Sequence, residues 1–119
     1  MSDIQRFHVG VRLSEMAVHN GTVYLAGQVP DDPTKDISGQ TAEVLANIDR
    51  LLTEAGTDKS RILMTQIFLA DLADFPAMNA VWDAWVPAGT APARACVQVG
   101  RLASPGWRVE IAVQAAVEP

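Results

Sequence analysis

Met16-Ala17-Val18-His19-Asn20-Gly21-Thr22-Val23-Tyr24-Leu25 places Asn-Gly, the preferred pair for a two-residue type I′ turn, between two short runs of strand formers. The spacing predicts a hairpin in which Val18 faces Val23 and Met16 faces Leu25. Ala17, His19, Thr22 and Tyr24 then occupy the other side, so only one face is strongly apolar. Downstream, Pro30 to Gly39 carries two prolines and three aspartates and reads as a loop. Val44, Leu45, Ile48, Leu51, Leu52 and Ala55 then recur at 3.6-residue spacing and Gly56 follows as a stop, which predicts an amphipathic helix over 41–55.

Residues 61–70 are apolar on both parities, as expected of a strand covered on two sides. Asp74 is placed to cap a second helix, with Pro76 in its first turn and Phe75, Met78, Trp82 and Trp85 as its apolar stripe; Pro87-Ala88-Gly89 ends it. Two strands close the chain, 94–100 and 107–117. In the second, Trp107, Val109, Ile111, Val113, Ala115 and Val117 share a face that should meet the helices. The order β-β-α-β-α-β-β predicts an α+β fold with both helices on one face of the sheet. Its other face is expected to carry Arg94, Cys96, Gln98 and Glu110.

A chain of 119 residues fits one domain, 1–119, and its 49% hydrophobic and 19% charged residues are a globular composition. No leader pattern and no apolar run of membrane length occurs, so a cytoplasmic location and no membrane partner are expected. A net charge of -5 disfavours nucleic-acid binding, which rests on basic residues displacing phosphate counterions. The small size favours further burial between subunits. The lone Cys96 can form no internal disulfide, no metal-ligand spacing is present, and His8 and His19 read as surface or turn residues. No GxSxG, P-loop, GxGxxG, HExxH or CxxC motif occurs. Cys96 on a strand and Trp82 and Trp85 on a helix read more economically as packing than as chemistry.

Arg94 is different. It follows Ala91-Pro92-Ala93 and opens a strand of small and apolar residues, where a guanidinium needs an anion. Its planar fork suits a carboxylate. Residue types alone leave two readings open: a salt bridge within the chain, or a ligand site. Glu110, expected on the same face, serves either as ion-pair mate or as a carboxylate that positions a water.

Pro92-Ala93-Arg94-Ala95-Cys96-Val97, with Arg101-Leu102 and Val109-Glu110-Ile111, is similar to the C-terminal signature of the RidA family, also called YjgF or the reactive intermediate deaminases. Ala26-Gly27-Gln28-Val29, the helix from Gln40 to Gly56, and Phe68 to Phe75 leading to Asn79 extend the resemblance over nearly the whole chain. The resemblance implies a chorismate-mutase-like fold and a homotrimer with sites in the clefts between subunits. It also implies a last strand lying between the first and second core strands, with the Arg94 strand at an edge, whereas pattern alone would pair 94–100 with 107–117 as a hairpin.

The implied activity is hydrolysis of enamines and imines of the 2-aminoacrylate type to 2-oxo acids and ammonia, with no cofactor and no metal. By position, Arg94 matches the arginine that binds the substrate carboxylate and Gly27 a residue whose backbone orients the substrate. Cys96 lines the site through its backbone, and Glu110 matches the acid that positions water. Two departures stand out: Ala26 replaces a frequent Ser or Thr, and Leu13 stands where a tyrosine is expected, which predicts a roomier, more apolar site. Two other readings remain: a non-catalytic binder of small carboxylates or 2-oxo acids, and a ribonuclease or translation inhibitor, which the acidic charge disfavours.

Overall fold

The first strand, β1 (Gln5–Val9), is one that sequence pattern does not reveal; it raises the strand count from five to six in the computed structural model, which describes residues 3–117. Its residues are mostly exposed and only Phe7 packs on the core, so no alternation marks it. It pairs antiparallel with β2 (Ser14–His19), which turns through Asn20 and Gly21 into β3 (Thr22–Leu25). Both turn residues have positive φ, 50° and 78°, as a type I′ turn requires, and Val18 faces Val23 and Met16 faces Leu25 as predicted.

Helix α1 (Ile37–Glu54) starts before residue 41, because the Asp36 carboxylate accepts from the Gly39 N–H and Ile37 is already buried. The loop therefore ends at Asp36. Strand β4 (Ile62–Leu69) leads into a 3-10 turn, Leu72–Asp74, and then α2 (Phe75–Trp85). Asp74 occupies the N-cap position of α2 but does not cap it with its side chain. Its buried carboxylate instead takes Arg108, with Nε at 3.1 Å and Nη2 at 2.7 Å. Strands β5 (Ala93–Gln98) and β6 (Val109–Ala116) complete the sheet.

The sheet order is β1-β2-β3-β6-β4-β5, with every pair antiparallel except β4 and β5. The Arg94 strand lies at an edge, as the resemblance implied; the last strand is interior but lies between β3 and β4, not between the first and second core strands. A β5–β6 hairpin does not form. Both helices cover one face. Val44, Leu45, Ile48, Leu51 and Leu52 of α1 and Met78 and Trp82 of α2 bury against the sheet, where Val109, Ile111, Val113 and Ala115 form the predicted inward row.

Gln40, fully buried in α1, ties two loops together, the one before α1 and the one before β6. Its amide NH₂ lies within hydrogen-bond reach of the carbonyls of Pro33 (3.3 Å), Lys35 (3.0 Å) and Gly106 (2.9 Å), and its Oε1 accepts from the Arg108 N–H at 2.8 Å. Together with the Asp74–Arg108 pair, this fixes the start of β6, two residues before Glu110.

Candidate functional site

Glu110 lies on β6 opposite Phe68 of β4, on the face the helices leave open. Beyond Leu25 the chain leaves the β3 ladder for two residues and returns at Gln28, whose N–H and C=O both bond Ile111 (2.8 and 3.0 Å). Gly27 is thereby laid against the Glu110 side chain. A Cβ at Gly27 would stand 2.1 Å from Glu110 Oε2, 2.9 Å from Cδ and 3.1 Å from Cγ. Only a residue without a side chain fits beside the carboxylate as it is placed here. Among the described residues neither polar backbone group of Gly27 has a hydrogen-bond partner in this segment. Ala26 and Leu13 sit at the same end of the sheet, Ala26 half-buried with its N–H on the Glu15 carbonyl and Leu13 exposed at the β1–β2 tip. Neither adds a polar side chain.

Arg94 is elsewhere. In β5 it pairs with Thr65 of β4, a fully buried residue under the helices, and Cys96 pairs with Ile67, also fully buried. Paired residues of adjacent strands share a face, so Arg94 and Cys96 lie on the helix side and Glu110 on the open side. Gln98 also lies on the helix side, where its Oε1 accepts from the Leu72 N–H at 2.7 Å. The expected grouping of Arg94, Cys96, Gln98 and Glu110 on one open face is therefore wrong. The apolar alternation in β5, Ala95 and Val97, turns out to mark the open side. The reason is that α2 covers this edge only partly, so the helix side of β5 can carry half-buried polar residues.

Within one chain, Arg94 and Glu110 are separated by the width of β4 and three residues of register, roughly 14 Å between Cα atoms from standard strand spacings. No intrachain ion pair joins them, and among the described residues no carboxylate pairs with Arg94. Its guanidinium rests on aromatic rings: Cζ is 5.3 Å from the Trp82 centroid and 5.9 Å from the Phe75 centroid. These contacts were not foreseen, although Phe75 and Trp82, seven apart on a helix preceding an Arg-bearing strand, held the signal.

Cys96 is half-buried and packs on the core; burial raises its thiol pKa and the nearby Arg94 only partly offsets this. It is not poised as a nucleophile. His8 is exposed and its Nε2 lies 2.9 Å from Glu54 Oε1, while His19 pairs with Thr22 at the hairpin tip. Among the described residues no cluster of His, Cys, Asp and Glu is arranged to hold a metal ion. No helix there is long and apolar enough to cross a membrane.

An α+β protein with a mixed six-stranded sheet, two helices on one face and an arginine at the sheet edge is the class that these features define. The family described as Endoribonuclease L-PSP matches residues 4–117. A RutC family protein of Haemophilus ducreyi is 50% identical over 114 residues, 96% of this chain and 97% of the relative. A crystal structure of a YjgF family member from Neisseria meningitidis superposes with a TM-score of 0.94 at 49% identity, over 98% of this chain and 97% of that one. The protein named 3-aminoacrylate deaminase RutC from Acinetobacter baylyi is 40% identical over 96 residues, 76% of this chain and 75% of the relative. The chain belongs to the RidA/YjgF family, which includes the RutC proteins.

Proposed function

We propose that this protein is a deaminase that hydrolyses small 2-imino acids and their enamine tautomers to 2-oxo acids and ammonia, in clefts completed between the subunits of a homotrimer. The observation that carries the reading is Arg94: a half-buried guanidinium at an open sheet edge, with no carboxylate partner among the described residues. A cation so placed suits a bidentate contact with the carboxylate of a small acid. The Acinetobacter baylyi relative, named for deamination of 3-aminoacrylate, supports the reaction class.

The separation of Arg94 from Glu110 supports assembly between chains. A substrate of a few carbons cannot span about 14 Å and two faces of one sheet. An Arg94 edge docked against the Gly27–Glu110 end of a second copy would bring both groups to one substrate. The exposed Val97 on the open side of β5 and the exposed Val11 and Leu13 at the β1–β2 tip supply apolar surface for such a contact.

In this site Arg94 fixes the carboxylate, and the free backbone groups of Gly27 and the amide chain beside Cys96 orient the rest. Glu110 holds a water against the imine carbon. Attack forms a C–O bond as the C=N π pair moves to nitrogen and the water passes one proton by way of Glu110 to that nitrogen, giving a tetrahedral carbinolamine. The nitrogen takes up a second proton, the C–N bond breaks to release ammonia, and the hydroxyl loses its proton as the C=O of the 2-oxo acid forms. Imines hydrolyse without a catalyst, so orientation and a placed water suffice for acceleration.

The test is semicarbazide-trapped turnover of imines generated in situ by an amino-acid oxidase. Arg94→Ala should abolish the acceleration with fold and assembly intact, and undiminished turnover would overturn the mechanism. The non-catalytic alternative is favoured by the missing polar groups at Ala26 and Leu13; tight 2-oxo acid binding without any turnover would select it.

A further inference from the structure

We propose that Trp82 and Phe75 are positioning residues for Arg94, an aromatic seat that fixes the guanidinium while leaving its charge available to a substrate carboxylate. This rests on the carboxylate-binding reading of Arg94. Both ring contacts, 5.3 Å to Trp82 and 5.9 Å to Phe75, fall within cation–π range. The two rings lie seven residues apart on α2, two turns along one face, so the helix presents them side by side to the β5 edge.

No hydrogen bond fixes the guanidinium among the described residues. Thr65, directly opposite Arg94 in register, keeps a buried hydroxyl without a partner, and Asn79, on the same stretch of α2, keeps a buried Oδ1 without one. The rings therefore provide what the polar groups do not. The distinction has a chemical consequence. A carboxylate partner would neutralise Arg94 and would have to be displaced by each substrate, whereas a ring quadrupole attracts the cation without cancelling its charge.

The seat is itself anchored. Trp82 is 5% exposed and packs on Trp85 with ring centroids 5.5 Å apart at 46°. Trp85 donates its Nε1–H to Asp49 Oδ2 at 2.9 Å and carries Lys59 Nζ over its ring at 5.1 Å. A chain of contacts thus runs from α1 through Trp85 and Trp82 to Arg94, and the position of the guanidinium is set by the helix layer rather than by its own flexible stem.

The test measures 2-oxobutanoate binding by titration calorimetry and trapped imine turnover, on the assembled protein, for Phe75→Leu, Trp82→Leu, Trp82→Phe and Arg94→Ala. The leucine variants should weaken 2-oxobutanoate binding and raise KM by about tenfold while kcat changes less, and Trp82→Phe should stay near wild type because a ring face remains. Should Trp82→Leu fail to fold, Phe75→Leu decides, since Phe75 lies at the surface and its loss leaves the core intact. Folded leucine variants that bind 2-oxobutanoate as tightly as wild type would overturn the seat. Wild-type binding by Arg94→Ala would instead overturn the carboxylate reading on which it rests, so the two failures are separable.

Discussion

Gly27→Ala should leave the protein folded and remove most of the imine hydrolysis proposed for it. The substituted Cβ would lie 2.1 Å from Glu110 Oε2, against a normal contact of about 3.5 Å, so the carboxylate oxygen must retreat by about 1.4 Å. Because Cγ would also be crowded, at 3.1 Å, the whole side chain must rotate rather than only its tip. The cost to the fold is small. Glu110 is only half-buried, Gly27 does not have positive φ, and the alanine reduces the freedom of the unfolded chain, so unfolding free energy should change by no more than about 1 kcal/mol. The cost to chemistry is larger, since displacing a catalytic group by about 1 Å loses roughly a hundredfold in rate, or about 2.7 kcal/mol of barrier. Trapped turnover of an in situ imine should show kcat down by about that factor, matched by Glu110→Gln, with 2-oxobutanoate binding through Arg94 largely retained. Wild-type kcat in a folded Gly27→Ala protein would refute the placement of water by Glu110.

Burial raises the Cys96 thiol pKa, so its thiolate fraction at pH 8 is below that of an ordinary cysteine; iodoacetamide should label it more slowly than the unfolded chain, with a pH midpoint above the usual thiol range, and a lower midpoint would contradict the assignment. Gln40→Leu strands the carbonyls of Pro33, Lys35 and Gly106 and the Arg108 N–H, and should lower unfolding free energy by about 3 kcal/mol in urea titrations; a change within error would show that water replaces these bonds without cost. With Ala26 and Leu13 in place of polar groups, leucine- and methionine-derived imines should be hydrolysed faster than the alanine-derived one. A marked preference for the alanine-derived imine in the same trapped assay would count against a roomy apolar site.

Most of the fold was legible because its signals are local. Asn20-Gly21 sets the β2–β3 hairpin register, the 3.6-residue recurrence from Val44 to Leu52 marks α1, and the inward row of β6 follows from alternation. Strand β1 escaped because an edge strand with one anchoring residue, Phe7, has no apolar face to reveal. The start of α1 escaped because Asp36, which looks like loop chemistry beside Pro33, is in fact its cap. Arg94 and Glu110 could be singled out by residue type and family resemblance, yet their relative placement could not. Alternation fixes which residues of a strand share a face but not which face is covered; that depends on pairing between distant strands, here the parallel β4–β5 register. The same nonlocality hid the Arg108–Asp74 pair and the rings beneath Arg94.

The central claim, that Arg94 of one chain and Glu110 of a neighbour serve the same substrate, is tested most directly by mixing defective subunits. Arg94→Ala and Glu110→Gln chains, each inactive alone, are co-expressed in equal amounts and the mixed oligomer is assayed for trapped imine hydrolysis. In a cyclic trimer with shared sites, three-quarters of random assemblies regain one intact site of three, so activity should recover to about a quarter of wild type. No recovery from a properly mixed trimer would mean that the two residues do not meet across a subunit boundary.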